Sequence, residues 1–279
     1  MKIGFQGTHG CHSEAALLNF FKDKDVVSEG FSSFEKVFQA LSDKVVDLAF
    51  LPVENSIAGS VAPVFDLLLE NRFFAYNEVY HRVIHDLLVL QGVRMEDISI
   101  VHSHPVALEQ CRDFIDRHDL RAVSHFDTAG AAQYLKESGH KECAAIAPAL
   151  CADLYGLERI KTDIADNPDN ITRFFVIGPL PDDIYSEQGK KVSLVFKPRH
   201  SETSGALSTC LDIFTKYRIN LTRVESRPDP SRMWEYVFYT DIDSGFTDTQ
   251  LARCLDVLSD FTEFIKILGV YEPGGWQGL

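Results

Sequence analysis

Short apolar strands alternate with helical segments over the first 178 residues, and this alternation constrains the fold more than any other feature of the chain. Six segments have the composition of buried strands: Ile3–Phe5, Leu48–Leu51, Ile98–Val101, Ala122–Val123 with Phe126, Ala144–Ile146 and Arg173–Ile177. Helices are predicted to start near Ser13, Ser33, Val61, Pro105, Thr128 and Pro148. Such alternation is typical of an α/β architecture with mostly parallel sheets.

Several predicted strands end in a small or polar residue that is followed at once by a predicted helix. These connections are Gly7–Ser13, Asn55–Ser56, Ser103–Pro105 and Asp127–Thr128. Ser, Thr, Asp and Asn are preferred N-cap residues, and Pro suits the first helical position. Helix N-termini at the carboxyl ends of parallel strands leave N–H groups that point into a cleft and can bind an anion. Ordinary helix capping is the alternative, and it accounts for at least one of the four connections.

A second unit is predicted after the Pro-rich polar linker Gly178–Asp183. Beyond Gly189 the pattern is strand Val192–Phe196, helix Gly205–Tyr217, strands Asn220–Arg227 and Trp234–Asp241, helix Thr247–Ser259 and strand Thr262–Tyr271. This β-α-β-β-α-β order is ferredoxin-like. The sequence therefore predicts two domains, over residues 1–179 and 190–272.

The acidic charge of the chain restricts its partners. The 279 residues carry a formal net charge of −14, which argues against nucleic acid or an anionic membrane as a partner. An anionic ligand would therefore need a local site of favourable potential. The chain shows neither the basic-then-apolar start of a signal peptide nor an apolar run of about 20 residues that could cross a bilayer. We accordingly expect a cytoplasmic protein without membrane contact.

The cysteines and histidines form no recognisable metal-binding pattern. The six cysteines are scattered, without a Cys-x-x-Cys pair, and are expected to be reduced and buried: Cys11, Cys111, Cys143, Cys151, Cys210 and Cys254. His9 and His12 lie three residues apart beside Cys11, inside a Gly-rich turn, and are expected to be solvated loop side chains. We expect no bound metal.

The stretch Asn170–Phe174 places a hydroxyl, a permanent cation and an aromatic ring side by side at the start of an apolar strand. Because neighbours on an extended chain alternate sides, Thr172 and Phe174 point one way and Arg173 the other unless the backbone turns there. An Arg beside a short polar anchor is suited to bind a carboxylate. A structural salt bridge is the alternative for Arg173.

Six segments in this order, ending with Thr172–Phe174, resemble the prephenate dehydratase family. The other five are Gly7–Ala16, Pro52–Val61, Ser103–Cys111, Thr128–Ala132 and Ala144–Ala147. The resemblance implies a bilobal catalytic domain with the fold of periplasmic binding proteins, in which two parallel-sheet subdomains enclose the site. In the C-terminal unit, Gly205–Leu207 and Glu225–Pro228 resemble the two phenylalanine-binding motifs of the ACT regulatory domain, although Ser208 stands where family members commonly have Val.

The resemblance also implies a reaction, the decarboxylating dehydration of prephenate to phenylpyruvate on the route to phenylalanine, with no cofactor. Thr172 would donate a hydrogen bond or a proton to the departing 4-hydroxyl. The implied substrate-binding residues are Arg173, Phe174, Asn55, Ser56, Glu54, Ser13, Thr128 and Gln110. A bracing role is the alternative for Glu54, since a carboxylate would repel a dianionic substrate.

Regulation by L-phenylalanine is implied through the ACT-like unit. The effector-binding residues would be Gly205, Ala206, Leu207, Asn220, Leu221, Glu225 and Ser226. ACT domains usually bind effectors between paired copies, so the resemblance implies a homodimer or homotetramer. An ACT-like unit that serves only for oligomerisation is the alternative.

Two other functions stay open at this point. Arogenate dehydratase performs the same chemistry on a substrate that has an amine in place of the keto group. A non-catalytic amino-acid-binding or sensor protein on the same bilobal fold is the rival from a different class, and the intact Thr172–Phe174 motif counts against it.

Overall fold

The computed structural model describes residues 1–199, 203–229, 232–246 and 248–277. Contacts between residues divide the chain into two compact units. The first unit contains Met1–Val61 and Tyr80–Phe174, with the C-terminal residues from Trp276 onward. The second contains Ala62–Val79 and Phe175–Gly275.

The described residues form strands and helices that largely alternate along the chain. The strands are β1 (Lys2–Gln6), β2 (Val27–Phe31), β3 (Leu48–Asn55), β4 (Gly59–Ser60), β5 (Phe73–Arg82), β6 (Asp86–Val89), β7 (Ile100–Ser103), β8 (Arg121–Ser124), β9 (Cys143–Ala147), β10 (Glu158–Lys161), β11 (Ile171–Pro179), β12 (Lys191–Pro198), β13 (Leu221–Pro228), β14 (Tyr236–Ile242), β15 (Thr262–Tyr271) and β16 (Trp276–Gln277). The α-helices are α1 (His12–Phe20), α2 (Phe34–Ser42), α3 (Ala62–Glu70), α4 (Pro105–Gln110), α5 (Arg112–Arg117), α6 (Thr128–Ser138), α7 (Ala149–Tyr155), α8 (Ala206–Lys216) and α9 (Thr249–Phe261).

The first unit contains strands of two separate sheets. In one, the order is β11-β3-β1-β2, and β1 is parallel to both β2 and β3. In the other, the order is β10-β6-β9-β7-β8, and β7 is parallel to β8 and β9, while β6 and β10 add antiparallel pairs. All five residues of β9 are buried, as expected for a short apolar strand whose two faces are both covered. The predicted α/β class with parallel strands is confirmed.

The second unit has the predicted β-α-β-β-α-β order. Its strands lie in the order β13-β14-β12-β15, with β12 antiparallel to β14 and β15. Apolar residues of α8 and α9, including Phe214 and Leu258, pack with Leu194 and Phe196 of β12 in one buried cluster. The strand predicted from Trp234 begins at Tyr236 instead, because Trp234 has a left-handed backbone with φ 67°. Thr247, the predicted start of the last helix, lies outside the described residues.

Residues 62–79 belong to the second compact unit, although the sequence places them inside the predicted domain 1–179. Their contacts give the reason. Asp66 of α3 pairs with Arg227 at 2.7 Å, and the Lys266 ammonium donates to backbone carbonyl oxygens at the end of α3, including that of Asn71 at 2.6 Å. The Phe65 ring lies 5.3 Å from the Tyr239 ring, centroid to centroid. The domain boundaries at 179 and 190 stay predictions.

Several elements differ from the sequence prediction. Strands β2, β5, β6 and β10 and helix α5 were not predicted, since polar residues interrupt the apolar pattern of most of them. The strand predicted at Ile98–Val101 begins only at Ile100, after a 3-10 turn over Met95–Asp97. Phe126 does not continue β8; its side chain is 69% exposed. No helix among the described residues is long and apolar enough to cross a membrane.

Candidate active site

A cavity of about 480 Å³ lies within the first unit, where strand ends meet helix starts. Its lining combines residues at the starts of α1, α4 and α6 with residues of β1, β3 and β11 and of the connections around them. The lining residues are Gln6, Gly7, Cys11, His12, Ser13, Pro52, Asn55, Ala58, Val61, Val83, His85, His104, Val106, Ala107, Gln110, Phe126, Asp127, Thr128, Asn170, Thr172 and Phe174. The four predicted strand-to-helix connections therefore all contribute residues to one cavity.

Thr172 and Asn55 meet in this cavity through a direct hydrogen bond. The Asn55 side-chain amide donates to Thr172 Oγ1 at 2.9 Å and to Asn170 Oδ1 at 2.7 Å. Because the Thr172 oxygen accepts from Asn55, its own hydrogen is available to donate to a ligand. Thr172 is 9% exposed, so neighbouring residues cover most of its surface and leave only a small part of it accessible.

The hydrogen bonds continue from Asn170 to a buried histidine. Asn170 Nδ2 donates to Gln110 Oε1 at 3.1 Å, and the same oxygen lies 2.8 Å from His85 Nε2. A single chain of contacts thus links Thr172, Asn55, Asn170, Gln110 and His85. All five residues line the cavity.

Arg173 and Glu54 lie outside the lining and pair with each other. Arg173 Nη1 is 3.4 Å from Glu54 Oε2, and the Arg173 side chain is 4% exposed. Thr172 and Phe174 do line the cavity, so the alternation along β11 is the predicted one. Phe174 also stacks on Phe50, with ring centroids 4.8 Å apart. The geometry favours the structural salt bridge for Arg173 over direct contact with a substrate.

Ser56 also lies outside the lining and fastens the segment that precedes β11. Its hydroxyl donates to the Asp169 carbonyl at 2.9 Å and accepts from the Ile171 N–H at 2.9 Å. Its own N–H donates to the Ile171 carbonyl at 2.8 Å. These bonds hold Asn55 beside Thr172, so Ser56 acts on the site through the backbone.

The Gly-rich turn positions the start of α1 at the cavity. Thr8 Oγ1 donates to Asp127 at 2.6 Å, and Asp127 in turn caps α6 by accepting from the Gly130 N–H. Gly10 has φ 95°, and a Cβ there would lie 2.8 Å from Cys151 Sγ, so only glycine fits. Glu14, buried within α1, accepts from the Gly10 N–H at 2.6 Å.

Three side chains at the cavity are held uncharged by burial. Burial lowers the pKa of His12 well below its usual value, and the neighbouring His85 adds to this effect. Burial also lowers the pKa of His85, against opposing effects of Gln110 and Asp86. Burial raises the pKa of the Cys11 thiol to about 11. Each group is therefore neutral near pH 7.

The raised pKa of Cys11 predicts an unreactive thiol. At pH 8 only about one thiol in 10³ would be ionised, so alkylation by iodoacetamide should be about 10²-fold slower than for a free cysteine. The rate should rise about tenfold per pH unit up to pH 10, because the thiolate is the reacting form. Mass spectrometry of the Cys11 peptide measures the rate of alkylation at each pH, with urea-unfolded protein as the control. Rapid labelling at neutral pH would contradict it.

Several residues of the cavity were not predicted as site residues. These are chiefly His12, His85, Asn170, Asp127 and Gln6. His12 was expected to be a solvated loop side chain, but it lies in α1 and its ring meets that of His85 edge to face, at a centroid distance of 5.0 Å. His85 precedes β6, a strand that was not predicted. The apolar run Leu87–Val89 was the signal that could have located it.

The remaining histidines near predicted features have structural contacts. His104 Nδ1 accepts from the Val106 N–H at 3.3 Å and so caps α4, while His9 pairs with Glu14 at 2.7 Å. Away from the cavity, one group of possible metal ligands was not recognised in the sequence. The ligand atoms of His140, Glu142 and Cys143 lie within 4.8 Å of one another. All six cysteines are free and buried.

A second, smaller cavity lies in the second unit beside the predicted effector residues. Its volume is about 300 Å³, and it is lined by Pro198, Ala206, Leu207, Trp234, Glu235, Tyr236 and Phe238. Ala206 and Leu207 are therefore brought to a cavity, and Gly205 caps α8 with φ 89°. Glu225 pairs with Arg223, and Ser226 lies opposite Phe238 in the sheet. Asn220, Leu221, Glu225 and Ser226 are not part of the lining.

Fold and site together define an α/β protein with a cavity of about 480 Å³ where strand ends meet helix starts, and with a ferredoxin-like unit. Comparison with known sequences narrows this class. A sequence model of the prephenate dehydratase family matches residues 3–181, and the chain belongs to that family. It is 37% identical to the chloroplastic arogenate dehydratase/prephenate dehydratase 1 of Arabidopsis thaliana, over 97% of this chain and 72% of the relative.

Two solved structures are similar to the chain over nearly its whole length. GqqA, described as a novel type of quorum quenching acylase, is 34% identical, covers 99% of each chain and superposes with a TM-score of 0.90. The prephenate dehydratase of Arthrobacter aurescens in complex with L-Phe is 29% identical and covers 100% of this chain and 92% of that chain, with a TM-score of 0.88.

Proposed function

We propose that this chain catalyses the decarboxylating dehydration of a cyclohexadienyl dicarboxylate, prephenate or its amino counterpart arogenate. The observation that carries the proposal is the Thr172 hydroxyl, which faces the cavity with its oxygen bonded to Asn55 at 2.9 Å. Membership of the prephenate dehydratase family supports the reaction class. The relative from Arabidopsis thaliana is named for both substrates, so we propose arogenate and prephenate equally.

The chemistry requires one proton and a fixed orientation. The bond between the ring and its carboxylate breaks, and its electron pair enters the ring as carbon dioxide leaves. The C4–oxygen bond breaks at the opposite end, and the departing hydroxide takes one proton to become water. Thr172 is proposed to donate to that oxygen, as a relay or a hydrogen-bond donor, because an alcohol is a weak acid. Orientation of the substrate and stabilisation of the leaving group supply the rest of the rate enhancement.

Neutral groups are proposed to hold the carboxylates. The lining residues that the structure describes include no lysine or arginine. Ser13 at the start of α1 and Thr128 at the start of α6 offer hydroxyl and backbone donors, and helix N-termini favour anions. Asn55 and Gln110 already bond to other residues, so we assign them positioning roles. Arg173 and Glu54 would act by bracing β3 against β11.

The primary experiment is an assay of purified protein with prephenate and arogenate in parallel, following phenylpyruvate and phenylalanine. Turnover of either substrate supports the proposal. An inert protein would overturn it and would favour the non-catalytic binding or sensor protein.

A second candidate function is acyl-group hydrolysis, favoured by the similarity to GqqA over 99% of both chains. The test is release of free amine from acylated amines under the same conditions. Amine release without dehydration would put this function in first place. Dehydration without amine release would exclude it.

Asn55 offers a sharper test of the site within the proposed reaction. Asn55→Asp keeps the oxygen that accepts from the Ile57 and Ala58 N–H groups but cannot donate to Thr172. We expect kcat to fall by at least about 5-fold, the factor that corresponds to one kcal/mol of lost hydrogen bonding, and KM to rise because the new carboxylate repels a substrate that carries two carboxylates. Asn55→Ala should lower kcat further and also destabilise the connection. Wild-type kcat in Asn55→Asp would contradict the role.

Regulation is proposed to reside in the second unit. The solved relative in complex with L-Phe supports phenylalanine as the effector, and the 300 Å³ cavity beside Ala206 and Leu207 is the proposed place of binding. A homodimer or homotetramer that pairs these units stays a prediction, as does a cytoplasmic location. Calorimetric titration with L-phenylalanine, in wild type and in Leu207→Asp, tests the site. If Leu207→Asp binds L-phenylalanine as tightly as wild type does, the effector does not bind in this cavity.

A further inference from the structure

Three apolar side chains stand exposed around the cavity of the first unit. Phe126, between β8 and α6, is 69% exposed, and Val106, in the first turn of α4, is 48% exposed. Ala58, just before β4, is exposed as well. All three residues line the cavity. A large apolar side chain that is open to water at a concave surface indicates a place where the apolar part of a ligand binds.

The sheet brings Phe126 and Val106 to the same edge. Strand β8 is parallel to β7, with Ser124 opposite Ser103, and the connection after each strand carries one of the two apolar residues. The His125 N–H donates to the Ser103 carbonyl at 2.7 Å, which extends the pairing of the strands to the residue before Phe126. Backbone hydrogen bonds therefore fix where the Phe126 side chain leaves the sheet.

A glycine in α6 provides the space for the Phe126 ring. A Cβ at Gly130 would overlap the edge of that ring and lie 2.5 Å from its Cε1. Gly130 occupies a helical position, where glycine is generally less favourable than alanine. The ring therefore rests on the α6 backbone with one edge and leaves most of its surface open at the cavity.

A hydrophobic staple is the alternative role for Phe126. In that motif, the residue before the N-cap packs on the fourth residue of the helix and supports the helix start. Phe126 does precede the N-cap Asp127, but the fourth residue of α6 is Ala131, which is small and fully buried. Most of the Phe126 ring surface takes no part in such a contact, so the exposed part of the ring is available to a ligand.

We propose that Phe126 is a substrate-binding residue, whose ring rests on Gly130 and covers the six-membered ring of the substrate. The inference rests on the proposed dehydratase function. The substrate of that reaction carries its polar groups on a hydrocarbon ring, and the polar lining residues are assigned to those groups. The hydrocarbon ring must then meet the apolar lining, in which Phe126 is the most exposed large side chain of the described residues. Covering it is favourable, because apolar surface leaves water.

Three variants separate substrate contact from support of α6. Phe126→Ala removes the ring, and Phe126→Leu restores an apolar side chain of similar reach. Tyr134→Ala is the matched control on the same helix. Tyr134 is 40% exposed and its ring lies 5.9 Å from that of His125, centroid to centroid, but Tyr134 is not part of the lining.

The measurement is kcat and KM for the substrate that wild type turns over, prephenate or arogenate, together with the urea midpoint of unfolding. Phe126→Ala should raise KM about 5- to 30-fold, because substrate no longer covers the ring. Its kcat should stay within about threefold of wild type, since ground state and transition state cover the ring alike. Phe126→Leu should bring KM back to within about fivefold of wild type. Tyr134→Ala should change neither constant.

Gly130→Ala tests the seat of the ring independently. The added methyl group displaces the Phe126 ring, so KM should rise at least about threefold. In the double variant Phe126→Ala/Gly130→Ala, the second change should add less than about twofold, because the methyl group then occupies space that the ring has left. Rises in KM that multiply in the double variant would show that the two residues act separately, and would contradict the seat.

The outcomes separate this inference from the dehydratase proposal. An active wild type together with an unchanged KM in Phe126→Ala would overturn the contact and leave the dehydratase function standing. A lower kcat and a lower urea midpoint at unchanged KM would assign Phe126 to the hydrophobic staple and overturn the contact as well. A wild type that is inert on both substrates would overturn both proposals.

Discussion

Replacement of Thr172 by Val should lower kcat for the proposed dehydration by about 10²- to 10⁴-fold, the range of a positioned proton donor. Valine keeps the branched shape of threonine and removes only the hydroxyl that would meet the departing oxygen. The fold should survive, because the Asn55 amide still donates to Asn170 Oδ1 at 2.7 Å and contacts the Ile171 carbonyl at 3.3 Å. Circular dichroism and the urea midpoint of unfolding check that survival.

Thr172→Ser is the matched control, since it keeps the hydroxyl and removes only a methyl group. Serine should retain kcat within about tenfold of wild type, because the donor is kept at some cost in orientation. KM should change little in the Val variant if the hydroxyl acts chiefly in the transition state. Wild-type kcat in a folded Thr172→Val protein would remove Thr172 from the reaction and leave the cavity as a binding site.

Local patterns predicted the parts of this molecule that depend on near neighbours. The apolar run Ala144–Ile146 predicted β9, and Ser33 and Asp127 marked the starts of two helices. Apolar runs and N-caps can be predicted because they depend on only a few adjacent residues. The alternation along β11 likewise predicted that Arg173 points away from Thr172 and Phe174, but it did not predict which side faces the cavity. The ferredoxin-like order followed from six clear elements.

These local patterns do not predict contacts between segments that are distant in the sequence. Gln110 and Asn170 are 60 residues apart in the chain and 3.1 Å apart in the structure, and neither carries a local signal of that contact. His85 lies between two strands that were not predicted, so the sequence analysis did not place it at the cavity. The pairing of Arg173 with Glu54 has the same origin, since the salt-bridge alternative could be chosen only once β3 and β11 were in place.

Replacement of Lys197 by Met should produce the largest loss of stability among the ion pairs of the second unit. The Lys197 side chain is 2% exposed, and its ammonium lies 2.6 Å from Asp229, 2.5 Å from Glu235 and 3.3 Å from Glu263. Burial alone lowers the pKa of Lys197, but the hydrogen bonds to the three carboxylates outweigh it, and the pKa is raised. Removing the cation leaves three carboxylates facing one another, so the free energy of unfolding should fall by about 3 kcal/mol.

Lys190→Met is the matched control, because Lys190 pairs with Glu272 at 3.5 Å with both side chains largely exposed. The free energy of unfolding of Lys190→Met should fall by less than about 1 kcal/mol, since water screens an exposed pair. Urea titration of wild type and both Met variants measures these differences.

The stabilisation by Lys197 should depend on pH. The hydrogen bond with Lys197 lowers the pKa of Glu235, so that carboxylate contributes stability above its unfolded pKa of about 4.3, and this stability is lost as the pH falls. The gap between wild type and Lys197→Met should therefore narrow on titration from pH 7 to pH 3. Equal losses in the two Met variants, or a gap that does not change with pH, would show that Lys197 contributes by packing its alkyl chain and not by its charge.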